Sequence, residues 1–228
     1  MRIRLTFSKQ GALRYIGHLD LHTLWERAAR RAGIPLAYSQ GFHPQPKINL
    51  ASALPLGFSS RTEVMDIWLN EDRELSGVRT DLQAALPKDI QILNIEQVDD
   101  RAPALQTQVI SAEYEVTFTD AAYASNLDQK LAALLQAESL PRERRSKPYD
   151  LRPLIESITS FHLPPNALHF GEVSRRDEGG MGIHMRLAAR EGATGRPEEV
   201  LAQLEIPVEA ARIERTRLIF HEESIQSK

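Results

Sequence analysis

The first part of the chain contains segments with two different spacings of hydrophobic residues. Residues 2–8 place apolar side chains at every second position, which is the period of a half-buried strand. Residues 18–32 place them three or four positions apart and are followed by Gly33 and Pro35, which predicts a helix that ends before Gly33. The same reasoning predicts extended segments at 36–39 and 48–54, strands at 64–69 and 90–95, and a helix at 75–86.

The second part of the chain repeats this order of elements without detectable sequence identity to the first. It predicts strands at 110–118 and 213–220, helices at 127–135 and 198–204, a mixed segment at 149–158, and a hairpin of 168–173 with 183–187 around residues 178–180. The order β-α-β-β-α-β is typical of a ferredoxin-like module. We therefore predict an α+β protein of two tandem ferredoxin-like (βαββαβ) modules, at residues 1–100 and 108–228, with a polar linker around 99–107. A single α+β domain with a longer sheet is the alternative.

Composition narrows the class of protein. The 228 residues are 42% hydrophobic and 26% charged, which is ordinary for a folded domain and unlike a disordered tail. The absence of cysteine excludes disulfides, cysteine zinc sites, iron–sulfur clusters and cysteine nucleophiles. No run reaches the ~18 apolar residues of a membrane span, and the N-terminus alternates as a strand rather than forming a signal peptide. We therefore expect a cytoplasmic protein without membrane contact.

Charge is distributed unevenly along the chain, although the net charge is only −3. Residues 1–50 contain eight lysines and arginines against Asp20 and Glu26, a local net charge of +6, and residues 142–152 have a net charge of +3. Such polarity lets one face attract a polyanion while the whole protein remains soluble. The alternative is that these charges solvate unrelated faces. The alternation at 212–217 predicts that one arginine there points inward, in an ion pair.

The densest group of chemistry-bearing side chains is the segment 39–47. Two prolines restrict its backbone, and Gly41 permits conformations that other residues resist. An aromatic ring, an imidazole and an ammonium group are then displayed together by Phe42, His43 and Lys47. This combination suits base stacking with phosphate contact, so RNA is the expected ligand. A rigid connection in which Phe42 packs inward is the alternative.

Two further basic groups are candidates for phosphate contact. Arg27, Arg30 and Arg31 fall on one side of the predicted first helix, with Asp20 near its start. The basic run 142–152 is typical of an exposed loop that leads into a strand. The complete set of predicted binding residues is Arg14, His18, Asp20, Arg27, Arg30, Arg31, Ser39, Gln40, Gly41, Phe42, His43, Lys47, Arg144, Arg145, Lys147 and Arg152.

Catalytic and metal chemistry has weaker support. His18, His22 and His43 could form a three-histidine metal site, but His18 falls at the helix cap and His22 toward solvent, so no metal is predicted. The serines lack a Gly-x-Ser-x-Gly elbow, and neither a P-loop nor a Gly-x-Gly-x-x-Gly motif occurs. We predict no catalytic residue and no cofactor.

Several of these motifs are similar to those of one known family. The similar segments are residues 14–20, 26–35, 38–47 and 54–57, with Glu63 and Asp66, and then 150–155 and 215–216. They resemble the radical SAM-linked domain-of-unknown-function family, which is fused to or encoded beside cobalamin-dependent radical S-adenosylmethionine (SAM) proteins. The loop departs from the family pattern at His43, where the family has asparagine, and at Gln45, where it has histidine.

The resemblance implies an accessory role, in which this chain presents a substrate, an RNA, to a radical enzyme supplied by another chain. This chain has no cysteine to ligate an iron–sulfur cluster. The leading hypothesis is therefore a non-catalytic RNA-binding module that acts with a separately encoded radical SAM enzyme. The first alternative is a metal-independent endoribonuclease, with His43 or His18 as acid or base and Lys47 or Arg31 at the phosphorane. The second is a protein–protein adaptor without RNA contact.

Overall fold

The computed structural model describes residues 1–118, 120–144, 146–163 and 180–221. These residues form two compact units: unit 1 is Met1–Val109 with His221, and unit 2 is Ile110–Phe220. Both units combine helices with β-sheet, so the protein is α+β, as the sequence predicts. None of the described helices is long and apolar enough to cross a membrane.

Unit 1 follows the predicted order of elements closely. These are β1 (Arg2–Lys9), α1 (His18–Arg31), β2 (Ile48–Leu50), β3 (Ser59–Trp68), α2 (Leu75–Ala85), β4 (Ile90–Val98) and the short helix α3 (Leu105–Gln108). The predicted limits of β1, α1 and α2 agree with the structure to within one residue. Helix α3 lies in the segment that was expected to be a linker.

Strand β1 lies at the centre of the unit 1 strands. It pairs antiparallel with β3 and with β4, and β2 pairs antiparallel with β3, which gives the order β4-β1-β3-β2. Arg2 lies opposite Trp68 at one end of β1, and Lys9 lies opposite Ser60 at the other. We call these ends of the sheet the Trp68 end and the Lys9 end. Strand β2 is shorter than the predicted 48–54, because the backbone bends at residues 51 and 52.

The core of unit 1 follows from the alternation in β1. Ile3, Leu5 and Phe7 are fully buried on one face of the sheet, as the two-residue period requires. On α1, Trp25 is 1% exposed and meets Phe7 edge-on, with ring centroids 4.9 Å apart. Burying each such side chain contributes roughly 1.5–3 kcal/mol, so this contact fixes where the helix lies on the sheet.

Unit 2 contains more strands than were predicted. Its elements are β5 (Val109–Phe118), α4 (Leu127–Gln136), β6 (Pro141–Arg144), β7 (Lys147–Asp150), β8 (Ile155–Leu163), β9 (Gly180–Arg190), β10 (Ala193–Thr194), α5 (Pro197–Gln203) and β11 (Ala211–Phe220). Strand β9 pairs antiparallel with β5 on one side and with β8 on the other, and β11 lies next to β5. The order of the four long strands is therefore β8-β9-β5-β11.

The structure changes one expectation in unit 2. The exposed loop predicted within 142–152 is wrong, because β6 and β7 pair as a hairpin there, and Ser146 adopts φ 60° between them. The predicted strand at 168–173 lies outside the described residues; among the described strands, β9 pairs with β5, β8 and β10. Arg215 of β11 is fully buried, which confirms that an arginine of this strand points inward.

A buried ion pair joins the first and third strands of unit 1. The Arg2 guanidinium donates to Asp66 Oδ2 at 2.6 Å, and Arg4 Nε donates to Asp66 Oδ1 at 2.8 Å. Arg2 and Asp66 are 2% and 0% exposed. Arg2 also donates to the backbone oxygens of Ala102, at 2.7 Å, and Pro103, at 3.0 Å, so it attaches the chain after β4 to the sheet.

We predict that Asp66→Asn destabilises the protein by about 3–5 kcal/mol, because it leaves the buried Arg2 charge without its counter-ion. Chemical denaturation of the full chain measures this change. The control is Asp72→Asn, at an exposed carboxylate that makes no hydrogen bond or ion pair within the described residues. An Asp66→Asn midpoint equal to that of the control would show that the ion pair is not a main support of the fold.

Candidate functional site

The connections of unit 1 place its predicted binding residues at two ends of the sheet. Helix α1 begins beyond the Lys9 end and returns toward the Trp68 end, where Leu36 bridges to Leu69. The segment that follows α1 therefore lies at the Trp68 end. The two ends are separated by seven residue steps of β1, which is about 23 Å.

The Phe42 loop, residues 38–47, extends from the Trp68 end as a closed hairpin-like segment. The Ser39 amide donates to the Gln45 oxygen at 2.8 Å, and the Gln45 amide donates to the Ser39 hydroxyl at 2.9 Å. Gly41, at φ 128°, occupies a backbone region that other residues rarely adopt. Ser39 therefore braces the loop, and Gly41 allows its tip to turn.

The Phe42 loop presents several of its side chains to solvent. Phe42 is fully exposed, so the alternative in which it packs inward is wrong. Gln40, His43 and Lys47 are also exposed, and none of their side chains makes a hydrogen bond or ion pair within the described residues. The loop therefore holds an aromatic face, an imidazole and a cation on a braced backbone.

The three arginines of α1 differ in how far they are available to a ligand. Arg27 is exposed and makes no hydrogen bond or ion pair with the described residues. Arg30 pairs with Glu26 at 2.7 Å, one helical turn earlier. Arg31 donates to the oxygen of Ala85 at 2.7 Å, where it caps the end of α2. Of the three arginines, only Arg27 has no partner within the described residues, so its guanidinium group is the one most available to a phosphate.

Arg14, His18 and Asp20 lie at the Lys9 end, away from the Phe42 loop. The Arg14 guanidinium stacks on the Tyr15 ring at 4.8 Å and donates to its hydroxyl at 2.9 Å. The structure also exposes three large apolar side chains in this region: Tyr15 at 62%, Leu19 at 80% and Leu56 at 64%. The Gly57 amide donates to the Arg14 oxygen at 2.8 Å, which places Leu56 near Tyr15. We call Tyr15, Leu19 and Leu56 the Tyr15 patch.

Much of the positive charge of residues 1–50 is internal. Arg2 and Arg4 share one counter-ion, the Asp66 carboxylate, and Arg2 is buried. Lys9 is 1% exposed and donates to the Ile16 oxygen at 3.2 Å. The local net charge of +6 therefore overstates the charge that a ligand meets at the surface.

The histidines of unit 1 are also divided between the two ends. His18 and His22 belong to the first part of α1, whereas His43 lies on the Phe42 loop. Among the described residues, no group of three or more histidine, cysteine, aspartate or glutamate side chains is arranged to hold a metal ion.

The hairpin of unit 2 carries the second basic cluster. Its register places Arg142 opposite Tyr149 and Arg144 opposite Lys147. Lys147 is exposed and Arg144 is half-buried. Arg145 lies outside the described residues.

The base of this hairpin is fixed by hydrogen bonds. Arg152 donates to the Leu135 oxygen at 2.9 Å and so caps α4, which makes it a structural residue in this position. Asp150 Oδ1 accepts from the backbone amides of Leu140, at 2.7 Å, and Arg152, at 2.9 Å. These two hydrogen bonds lower the pKa of the Asp150 carboxyl below its ordinary value. The hairpin therefore rises from a fixed base.

Tyr149 also belongs to this region, and it is not among the predicted binding residues. Burial raises the pKa of the Tyr149 phenol, and the Glu199 carboxylate raises it further. Arg142, Arg144 and Arg196 act in the opposite direction, because their positive charges favour the phenolate. Had residues 141–150 been predicted as a hairpin, the two-residue alternation of its strands would have placed Tyr149 on the same face as Arg142 and Arg144.

Comparisons with known proteins identify a family but no activity. Residues 2–197 match the model of a family described as an uncharacterised protein conserved in bacteria (DUF2344). A crystal structure of a proposed glycine cleavage system transcriptional repressor is similar at 12% identity, over 96% of this chain and 98% of that chain, with a TM-score of 0.24. At this TM-score the likeness carries no argument. No curated protein sequence matches the chain.

We predict that Glu199→Gln lowers the pKa of Tyr149, because it removes a negative charge that opposes ionisation of the phenol. Titration of tyrosinate absorbance measures this change, and Tyr149→Phe assigns the signal. Glu209→Gln, at an exposed glutamate on the same unit, is the control and leaves the Tyr149 pKa unchanged. A Glu199→Gln titration curve that superimposes on that of the wild type would show that the Glu199 carboxylate does not affect the Tyr149 pKa.

Proposed function

The chain belongs to the DUF2344 family of uncharacterised proteins conserved in bacteria, and we propose that it is a non-catalytic RNA-binding module that acts with a separate radical SAM enzyme. The observation that carries the proposal is the exposed Phe42 ring on a braced loop. A rigid, exposed aromatic face is the group on which single-stranded RNA bases stack. Lys47, at the foot of the same loop, supplies a cation for the backbone phosphate.

The surface cations that have no counter-ion support a modest contribution of phosphate contacts to RNA affinity. Arg27 and Lys47 on unit 1 and Arg144 and Lys147 on unit 2 make no hydrogen bond or ion pair within the described residues. Each cation that contacts a phosphate adds a salt-dependent increment to the affinity. With so many other basic residues neutralised internally, we expect stacking to contribute as much to affinity as charge does.

The strand orders support a finer description of the architecture as two tandem ferredoxin-like modules. Unit 1 has the order β4-β1-β3-β2 with two crossing helices, and unit 2 has β8-β9-β5-β11 with α4 and α5 between its strands. In unit 2 the β6–β7 hairpin is an addition to that order. The fold alone does not define a function, so the proposal depends on the loop and the surface charges.

The placement of the histidines favours binding over cleavage. An endoribonuclease needs an acid and a base on either side of one phosphodiester. His18 lies at the Lys9 end and His43 on the loop at the Trp68 end, so the two do not form an acid–base pair, and cleavage would need one of them to act with a different partner. His43 stands beside Lys47 on an exposed loop, which suits contact with RNA.

The Tyr15 patch supports a protein partner for the same module. Leu19 and Leu56 are aliphatic and exposed, and aliphatic side chains do not stack on bases, whereas they are ordinary contacts of protein interfaces. The resemblance to the radical SAM-linked family implies that this partner is the radical SAM enzyme. A chain without cysteine needs such a partner for any chemistry at an iron–sulfur cluster.

We predict that the wild-type protein binds a labelled single-stranded RNA of about twelve nucleotides and that Phe42→Ala weakens this binding about five- to 150-fold. The reason is the loss of one stacked base, which contributes about 1–3 kcal/mol. Lys47→Ala reduces the slope of log affinity against log salt by about 0.7. Fluorescence anisotropy between about 50 mM and 200 mM salt measures both effects.

The matched controls for this series are Leu93→Ala, at a β4 side chain that is 45% exposed, and Lys88→Ala, at an exposed lysine of the same unit. Both should bind RNA as the wild type does. Absence of wild-type binding at low salt, or equal binding by Phe42→Ala and Leu93→Ala, would reject the Phe42 loop as an RNA-binding site.

We further predict that a cobalamin-dependent radical SAM protein, the partner that the resemblance implies, copurifies with this chain on co-expression. Leu19→Asp and Leu56→Asp should abolish copurification, because they place charges in an apolar interface. Leu93→Asp is the control and should retain it. Copurification that survives both patch substitutions would rule out the Tyr15 patch as the docking surface.

A further inference from the structure

The β6–β7 hairpin concentrates its positive charge on one face. Side chains alternate along a strand, and residues that lie opposite each other share a face. The pairs Arg142–Tyr149 and Arg144–Lys147 therefore lie on the same face. The other face carries Pro141, Glu143, Pro148 and Asp150. One face of the hairpin thus presents three cations and a phenol.

The outer pair on this face consists of two like charges. Arg144 and Lys147 are directly opposed beside the turn. Directly opposed like charges destabilise a β-hairpin. Neither side chain makes a hydrogen bond or ion pair within the described part of unit 2. An anion between these two side chains would remove the repulsion.

The inner pair and α5 bring two more guanidinium groups, those of Arg142 and Arg196, and the Glu199 carboxylate close to the phenol. Arg142 donates to Gln203 Oε1 at 2.6 Å and lies 3.7 Å from Glu199 Oε2, so its charge is partly balanced. Arg196, before the first turn of α5, acts electrostatically on the Tyr149 phenol together with Arg142 and Arg144. Its contact with Glu198 is long, at 3.6 Å, and its side chain is 39% exposed. A phenol O–H beside guanidinium groups is an arrangement that suits phosphate oxygens.

We infer that Arg144, Lys147 and Tyr149 form a phosphate-binding site, with Arg196 at its edge, and that an RNA backbone supplies the phosphate. The choice of RNA rests on the proposed function above, whereas the phosphate chemistry rests on the hairpin itself. The site lies wholly within unit 2, so it is tested independently of the Phe42 loop.

Because Arg144 and Lys147 repel each other, a substitution of Lys147 can weaken RNA binding without lowering the melting temperature. Lys147→Glu replaces the like-charge pair with an ion pair between Arg144 and the introduced carboxylate, so the melting temperature should stay equal to that of wild type or rise. RNA affinity should nevertheless fall about tenfold or more, because the phosphate loses one cation and meets a carboxylate. A structural role of Lys147 would lower both quantities together.

The experiment uses the full chain and a labelled oligouridylate of about twelve nucleotides. Wild type, Lys147→Glu and Arg144→Ala are compared with Arg217→Ala, an exposed arginine on β11 without a hydrogen-bond or ion-pair partner in the described residues. Arg144→Ala should reduce the salt slope by about 0.7 and weaken binding uniformly across RNA sequences. Arg217→Ala should bind as wild type does.

Inorganic pyrophosphate, measured by calorimetry with the same proteins, separates the possible sources of phosphate. Weaker binding of both oligouridylate and pyrophosphate by Lys147→Glu supports the site as proposed. Pyrophosphate binding that depends on Arg144, with no RNA binding by wild type, overturns RNA as the source and with it the proposed function. RNA binding that is lost in Phe42→Ala but unchanged in Lys147→Glu and Arg144→Ala overturns this site alone.

Discussion

The Asp66 carboxylate, buried between Arg2 and Arg4, is the interaction on which the rest of unit 1 depends. It joins β1 to β3, and through Arg2 it also holds the chain that follows β4. A buried carboxylate with two guanidinium partners is costly to disrupt, because each partner left alone is an unpaired charge in a dry environment. The pairing of β1 with β3 in turn sets the Trp68 end, from which the Phe42 loop extends. The same ion pairs remove two arginines from the set that a ligand can meet.

Ligand recognition in this account depends on a few side chains held by well-braced backbone. The Ser39 hydroxyl closes the Phe42 loop, and the Asp150 carboxylate fixes the base of the β6–β7 hairpin. Bracing lowers the conformational entropy lost when a ligand binds, so an exposed ring or cation in such a place contributes more to affinity than the same group on a mobile chain. In our proposal each unit therefore has its own small site, an aromatic one on unit 1 and a cationic one on unit 2.

The sequence predicted the regular elements well and the partners of individual charges poorly. Two-residue and helical periods located β1, α1 and α2 almost to the residue, because burial on one face enforces those periods. Charge counts could not show that Arg2 and Arg4 share Asp66, 62 or more positions away, since such pairing depends on strand register. The hairpin at 141–150 was missed for a related reason. Its two strands consist of charged residues, two prolines and one tyrosine, so no hydrophobic period marks it.

We propose that this chain binds RNA through the Phe42 loop and the β6–β7 hairpin. Ultraviolet crosslinking of the protein to uridine-rich RNA, followed by mass spectrometry of the crosslinked peptides, tests this proposal most directly. We expect crosslinks to peptides that contain Phe42 and Tyr149, because an aromatic ring stacked on or next to a nucleotide is well placed to react. Crosslinks confined to other surfaces, or none above the level seen with a protein of similar charge that does not bind RNA, would contradict it.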